Sequence, residues 1–136
     1  MNTAHHCLLC LGSNSNAELH LKQAETALGF LFPDIRWGKA VNTLPEGDQS
    51  KTPSYLNRIA CFRTTLEANE VARICKEIER ENGRTPEDKD KGLVPLDIDL
   101  LKYDNRVLKP ADLSKDYVRK AMEAFPDKRK DRINRS

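Results

Sequence analysis

Two segments of the chain carry apolar residues at helical spacing, and a shorter stretch of strand character precedes and follows each of them. The apolar stripe of the first segment consists of Ala17, Leu21, Ala24, Leu28 and Leu31. That of the second consists of Val71, Ile74 and Ile78. Because these residues recur at steps of three and four, each segment predicts a helix with one buried face. Asn16 and Thr65 are the expected N-caps, and Pro33 and Gly83 mark the expected ends.

Four strands are expected around these helices. They cover residues 7–11, 35–43, 55–64 and 96–101, with loops at 44–53 and 84–94. The order strand, helix, strand, strand, helix, strand predicts an α+β fold of the ferredoxin-like split βαβ type. Its antiparallel four-stranded sheet would carry both helices on one face and leave the other face free for a ligand. We expect residues 1–126 to form one domain and the basic tail 127–136 to be disordered.

Composition limits the classes of partner. At 136 residues the chain is the size of one domain, and its formal net charge of +2 does not indicate nucleic acid as a partner. No apolar run approaches the roughly 20 residues that span a bilayer, so we expect a cytoplasmic protein without a membrane partner. The cysteines at 7, 10, 61 and 75 lie in apolar segments and predict buried thiols rather than a metal knuckle.

The segment from Leu96 to Leu101 alternates apolar residues with Asp97 and Asp99. On a strand, both carboxylates project from one face, with Cα atoms about 6 to 7 Å apart. Two such carboxylates repel each other unless a cation neutralises them, and hard oxygen ligands suit Mg²⁺. A pair of ions about 4 Å apart clamps the attacking and leaving oxygens of a phosphoryl transfer. The alternative is that the two aspartates lie on a solvated sheet face.

Four short motifs occur in order along the chain. They are LGSN at 11–14, TPSYLN at 52–57, IERENGR at 78–84 and PLDIDLL at 95–101. Together they resemble the 6-hydroxymethyl-7,8-dihydropterin pyrophosphokinases of folate synthesis over about residues 7–125. The resemblance implies a ferredoxin-like fold that binds ATP with two Mg²⁺ ions. It also implies transfer of pyrophosphate to the hydroxymethyl group of a reduced pterin, with release of AMP.

The resemblance also implies roles for individual residues. Asp97 and Asp99 match the metal-binding aspartates, and Arg84 would act with them in catalysis. Glu79 and Arg84 match nucleotide-site residues, Arg84 facing the phosphates. Thr43, Tyr55, Asn57 and Phe125 match the pterin pocket, in which the two aromatic rings would stack on the pterin and the amide would read its edge.

The sequence departs from the family pattern on the nucleotide side. Val94 and Pro86 stand where arginines that bind phosphate are expected, and Lys91 stands where an aromatic residue is expected. Tyr117 lies near the position of an expected histidine. Lys89 and Lys91 are the candidates to replace the arginines, as point charges without the planar fork of a guanidinium.

Three functions follow as hypotheses. The first is a magnesium-dependent pterin pyrophosphokinase, and the second is a pterin- and nucleotide-binding homologue with weakened catalysis. The third is an RNA-binding domain on the same fold, which needs two or three exposed aromatic residues on the central strands. The strand after Asn57 offers Phe62 alone, so nucleic acid is not the expected partner.

Overall fold

The computed structural model describes residues 3–43, 54–83 and 85–124. In these ranges the strands are β1 (His5–Ser13), β2 (Arg36–Trp37), β3 (Val41–Thr43), β4 (Tyr55–Thr64), β5 (Asp97–Tyr103) and β6 (Arg106–Val107). The helices are α1 (Ala17–Leu31), α2 (Ala68–Asn82), α3 (Pro86–Asp90), α4 (Pro110–Leu113) and α5 (Asp116–Ala124). The expected tail at 127–136 lies outside the described residues.

The strands form one antiparallel sheet in the order β2-β4-β1-β5-β6, and β3 also pairs with β4. The α+β class and the antiparallel sheet are confirmed, but the expected number of four strands is wrong. The segment 35–43 forms two short strands, because its pairing with β4 shifts by one residue. Gly38 still donates its N–H to the carbonyl of Ile59 at 2.8 Å, in register with β2, whereas Val41 pairs with Asn57. The sixth strand follows a tight turn at Asp104, which adopts a left-handed conformation with φ of 53°.

The main core lies between one face of the sheet and the helices α1 and α2. It contains Leu9 and Leu11 of β1, Ile98 of β5, Leu28 of α1 and Val71 of α2, all of them buried. The expected stripes therefore face the sheet through Leu21, Ala24 and Leu28 of α1 and Val71 and Ile78 of α2. Burial of these side chains excludes apolar area from water and is the main favourable contribution to the fold. Leu31 was expected in the same stripe, and this is wrong, because it is 46% exposed at the end of α1.

The second face of the sheet is only partly open. Leu8, Cys10, Ile59 and Leu101 project from it and pack against Val118 and Ala121 of α5. The expectation that this face is wholly free is therefore wrong. The α5 helix is short and amphipathic, and it covers the middle of the sheet, including Cys10, which pairs with Asp99.

The helix ends expected from the sequence are confirmed only in part. Asn16 is the N-cap of α1, in a left-handed conformation and without a capping hydrogen bond from its side chain. The expected cap at Thr65 is wrong, because α2 begins after Glu67, which forms a reciprocal capping box with Glu70. Gly83 ends α2 with φ of 60°, as expected. In the segment predicted as a loop, Thr85 and Asp88 cap the short helix α3 in the same reciprocal way.

The cysteines are free thiols. Cys7, Cys10 and Cys75 are buried and Cys61 is half-buried, so the expectation of buried thiols is confirmed for three of the four. Burial raises the pKa of Cys10 to about 11 and that of Cys75 to about 12, which keeps these thiols protonated at neutral pH. Over the described ranges, no helix has the length and apolar character needed to cross a membrane.

Candidate active site

Asp97 and Asp99 lie on the same face of β5, as the alternation predicts. Asp97 is opposite Gly12 of β1, and Asp99 is opposite Cys10. Ile98 between them is buried in the main core, so the strand cannot rotate the aspartates inward without exposing an apolar side chain. The two carboxylates are thus held next to each other on the sheet face that α5 partly covers.

The local electrostatics favour a cation. Burial and the charge of Asp97 raise the pKa of Asp99 to about 6, and a hydrogen bond from one carboxyl group to the other adds to this shift. Desolvation also raises the pKa of Asp97, opposed by the hydrogen bond with Asp99 and reinforced by the charge of Glu79. Two carboxylates that resist ionising together bind either a shared proton or a metal ion.

The donor set fits Mg²⁺ rather than a soft metal. Both side chains offer hard oxygen ligands, and Mg²⁺ is commonly held by one or two carboxylates, with water and substrate phosphates as the remaining ligands. In the part of the chain that the structure describes, no group of three or more histidine, cysteine, aspartate or glutamate side chains is arranged to hold a metal. Asp97 and Asp99 would therefore hold the ion together with oxygens from the substrate.

Glu79 of α2 contacts the backbone of the strand that carries the aspartates. Its Oε2 accepts a hydrogen bond from the N–H of Ile98 at 2.7 Å. The ammonium of Lys76 lies 3.3 Å from both carboxylate oxygens of Glu79. The resemblance gives Glu79 a role in the nucleotide site; the structure puts it beside the aspartates and bonded to β5. Its contact with Ile98 is tertiary, so no local sequence pattern reveals it.

A polar cluster lies on the neighbouring strands. Thr43 of β3 pairs with Tyr55 of β4. Asn57, also on β4, pairs with Gly12 of β1, the strand on the other side of β4. The amide Nδ2 of Asn57 donates to Thr43 Oγ1 at 2.6 Å, and Asn57 is only 6% exposed. The structure therefore brings together Thr43, Tyr55 and Asn57, three of the residues expected around a pterin. Phe125, the fourth, lies outside the described residues.

Gly12 lies between this polar cluster and the aspartates. Asn57 of β4, Gly12 of β1 and Asp97 of β5 stand side by side in one cross-strand row. A Cβ atom at Gly12 would lie 3.0 Å from Asn57 Oδ1 and 3.9 Å from Tyr55 Cδ1. Sequence reasoning assigned Gly12 to a tight turn; its place at the end of a buried strand was the available signal of close approach.

Asn14 fastens the segment before β5 to the end of β1. Its backbone N–H donates to the carbonyl of Val94 at 3.0 Å, and its Nδ2 donates to the carbonyl of Gly92 at 2.9 Å. Its Oδ1 accepts a hydrogen bond from the N–H of Val94. Asn14 is 6% exposed, so these are buried hydrogen bonds. Sequence reasoning missed this role, because the partners are about 80 residues away.

The lysines expected to face the phosphates lie on the segment around α3. Lys91 pairs with Glu87 at 3.0 Å, and Lys89 is exposed. The cations that lower the pKa of Asp99 are Lys109 and Lys76. Arg84, the expected catalytic and phosphate-facing residue, lies outside the described residues.

Tyr117 of α5 contacts the residue that pairs with Asp99. Its hydroxyl lies 3.6 Å from the thiol of Cys10, the residue opposite Asp99. Burial, with the neighbouring Cys10, raises the pKa of Tyr117, so the phenol is neutral at physiological pH. Tyr117 is thus a neutral hydrogen-bonding group at the place where a histidine is expected.

The structure is an α+β domain that holds two neighbouring carboxylates beside a buried amide, an arrangement compatible with a metal-assisted transferase. The family model described as 7,8-dihydro-6-hydroxymethylpterin-pyrophosphokinase (HPPK) matches residues 8–126. The chain belongs to this family, and the resemblance seen in the sequence motifs is confirmed. Family membership implies pyrophosphoryl transfer in folate biosynthesis. A comparison with curated proteins found no match.

Proposed function

We propose that the protein is a cytoplasmic, magnesium-dependent enzyme that transfers pyrophosphate from ATP to 6-hydroxymethyl-7,8-dihydropterin. The hydroxymethyl oxygen attacks the β-phosphorus of ATP, the bond from that phosphorus to the oxygen bridging to the α-phosphate breaks, and AMP leaves. The hydroxyl proton is lost in the same reaction. The observation that carries this proposal is the row of Asn57, Gly12 and Asp97, which sets the polar cluster of Thr43, Tyr55 and Asn57 next to the carboxylate pair in a member of this family.

Asp97 and Asp99 are the proposed magnesium ligands, with two ions expected. When bound, magnesium neutralises phosphate charge and orients the triphosphate. The raised pKa values of both carboxyl groups support this assignment, because a site that disfavours two bare negative charges gains most from a cation. Ile98, buried between them, holds the strand so that both carboxylates remain on the substrate side.

Asn57 is the proposed specificity residue for the pterin. Thr43 holds one amide hydrogen, which orients the side chain and leaves the rest of its hydrogen-bonding capacity for the ring edge. Tyr55, opposite Thr43, and Phe125 are proposed to stack on the ring faces. Binding the two substrates in fixed orientation converts the transfer into an intramolecular reaction and supplies much of the rate enhancement.

Glu79, Arg84, Lys89 and Lys91 complete the proposed nucleotide side. Glu79 acts there through β5, since its carboxylate holds the strand backbone between the aspartates. Arg84 is proposed to stabilise the transferring phosphoryl group. The strand order and the two helices on one face support a ferredoxin-like core, extended by the short strands β3 and β6.

The test is magnesium-dependent ATP binding by calorimetry and AMP formation with the hydroxymethyl pterin. Asp97→Ala and Asp99→Ala should each abolish magnesium-dependent binding and AMP formation while leaving the circular dichroism spectrum unchanged. Glu18→Ala, an exposed acidic residue on α1, is the matched control. Nucleotide affinity equal to that of the parent in either aspartate variant would overturn the assignment.

A second candidate function is favoured by Val94 and Pro86, which remove two expected phosphate contacts. It is a pterin-binding homologue in which transfer is weak. Saturable pterin binding without AMP formation would establish it. The RNA-binding alternative has no support at Phe62, which is buried and stacked on Phe32 with ring centroids 4.0 Å apart.

A further inference from the structure

Residues 39 and 40 form a β-bulge between β2 and β3. Before the bulge, Gly38 is in register with Ile59, to which its N–H donates at 2.8 Å. After the bulge, Val41 pairs with Asn57. Two residues of this segment therefore stand opposite a single residue of β4. A bulge of this kind moves the register of the following strand by one residue.

The bulge determines the face of the sheet on which the Thr43 side chain lies. A shift of one residue turns the following side chains of a strand to the other face. In the shifted register Thr43 pairs with Tyr55 and lies on the face that carries Asn57, whose Nδ2 donates to Thr43 Oγ1 at 2.6 Å. Without the bulge, Thr43 would stand opposite residue 54 and project from the helix side of the sheet. The contact between Thr43 and Asn57 therefore depends on the bulge.

Arg58, the residue of β4 opposite the bulge, holds this segment from the helix side of the sheet. Its Nε donates to the carbonyl of Gly38 at 2.6 Å, and its Nη1 donates to Glu25 Oε2 of α1 at 2.8 Å. The guanidinium carbon lies 5.3 Å from the centre of the Trp37 ring. Both side chains of the ion pair are 28% exposed, so the pair is partly shielded from water. Arg58 thus joins α1, the residues before the bulge and β4.

We infer that Arg58 is a positioning residue for pterin recognition, which sets Thr43 against Asn57 by holding the bulge in place. Two consecutive residues of β4 then hold the two ends of one segment, Arg58 at Gly38 and Asn57 at Thr43. Because Asn57 is buried, loss of Thr43 as its acceptor would leave a buried donor unpaired and the amide without a fixed orientation. The inference rests on the proposed function for the identity of the ligand, and Arg58 acts on that ligand only through Thr43.

Arg58→Met, which keeps a long side chain but removes its charge and donors, tests this role in the full chain. The KM for the hydroxymethyl pterin should rise about tenfold, because the Asn57 amide loses its fixed orientation. The KM for ATP and the rate at saturating pterin should remain those of the parent. Hydrogen–deuterium exchange over residues 39–43, measured without any ligand, should become faster. Arg63→Met is the matched control on the same strand and should change none of these, since Arg63 pairs with Asp34 at 3.5 Å.

Two further variants separate positioning from a general loss of stability. Thr43→Val alone should raise the KM for pterin, and adding Arg58→Met to it should raise that KM little further, because both changes act on the same hydrogen bond. Additive losses in the double variant would overturn the inference. Arg58→Lys keeps the charge beside Glu25 without the planar fork, so it should fold as the parent does and still raise the KM for pterin.

The outcomes separate this inference from the proposed reaction. If the parent forms no AMP and binds no pterin, while Arg58→Met still speeds exchange over residues 39–43, the proposed reaction fails and the role of Arg58 at the bulge stands. If the parent forms AMP and Arg58→Met keeps its KM for pterin, the inference alone is overturned. It is also overturned if Arg63→Met raises that KM as much, or if exchange over residues 39–43 is unchanged in Arg58→Met.

Discussion

The side-chain oxygen of Asn57 occupies the space that a side chain at Gly12 would need. A Cβ atom at Gly12 would meet Asn57 Oδ1 at 3.0 Å, which is tighter than nine in ten Cβ contacts in proteins. Asn57 cannot retreat freely, because it is buried and its amide is bonded to Thr43 at 2.6 Å. The glycine on β1 and the amide on β4 are therefore parts of one arrangement, and Asp97 stands on the other side of the same glycine.

Gly12→Ala should displace the Asn57 amide and lower pterin affinity about tenfold or more, with a loss of unfolding free energy of about 1 to 3 kcal/mol. Ligand fluorescence and urea denaturation measure the two effects. Gly29→Ala is the control: a Cβ there meets nothing within 4 Å, and it lies in α1. Alanine at that helical position should stabilise the fold by about 0.5 to 1 kcal/mol without affecting pterin. Parent-like pterin affinity in the Gly12 variant would contradict the role of Asn57.

Asn14→Ala should destabilise the protein by about 1 to 3 kcal/mol, because it leaves the N–H of Val94 and the carbonyl of Gly92 without their side-chain partner. The loss should also loosen the segment that leads into β5 and weaken magnesium-dependent nucleotide binding. Urea unfolding and calorimetry check both. Asn105→Ala, in the exposed turn before β6, should change stability by less than about 0.5 kcal/mol. Equal changes in unfolding free energy for the two substitutions would show that the hydrogen bonds of Asn14 do not hold the two segments together.

Magnesium binding should weaken as the pH falls through about 6, because a proton on Asp99 competes with the metal. The effect on folding has the opposite sign. The pKa of Asp99 is raised from 3.8 to about 6 in the folded protein, so the folded state binds this proton more tightly than the unfolded state. Its carboxyl group therefore destabilises the fold above pH 6, and this is relieved as the pH falls toward 3.8.

Asp99→Asn tests both effects at once. The variant should gain stability over the parent at pH 7.5, with a smaller gain at pH 5, and should bind magnesium poorly at both. Urea denaturation at the two pH values gives the difference. A gain that is larger at pH 5 than at pH 7.5 would contradict the raised pKa of Asp99.

Val94→Arg should raise the rate of AMP formation by about ten- to a hundredfold where the guanidinium reaches the triphosphate. The backbone at this position is already fixed, since both its N–H and its carbonyl are bonded to Asn14. The measurement is AMP release at saturating pterin with a titration of magnesium ATP. Val107→Arg, at an exposed position of β6, controls for added charge. A slower Val94→Arg enzyme would mean that the existing lysines bind the phosphates better without the arginine.

Local patterns predicted those parts of the fold that depend on periodicity. The stripe of α1 and the alternation of β5 gave the buried face of each element, and with it the shared face of Asp97 and Asp99. The six-strand sheet and the packing of α5 were not predicted. Both depend on tertiary contacts of segments too short to carry a clear period, such as the two residues of β2 and the stripe of Val118 and Ala121.

The candidate site was predictable to a similar extent. Tyr55 and Asn57 come from the motif at 52–57, and Thr43 comes from the family resemblance. The row that joins Asn57 to Gly12 and Asp97 depends on strand register, which side-chain pattern alone does not define for a glycine. The role of Asn14 depends on contacts between segments far apart in the chain.

The contact of Glu79 with β5 has a consequence for solubility. Between Asp97 and Leu101, β5 has β1 on one side, and β6 begins to pair only at Lys102. An open strand edge of this kind is a template onto which another chain can add a strand and aggregate. The Glu79 carboxylate takes the N–H of Ile98, and the backbone N–H groups of residues 108 and 109 take the carbonyl of Leu101. The carboxylate that holds the strand of the aspartates thus occupies one of the backbone donors to which an added strand would bind.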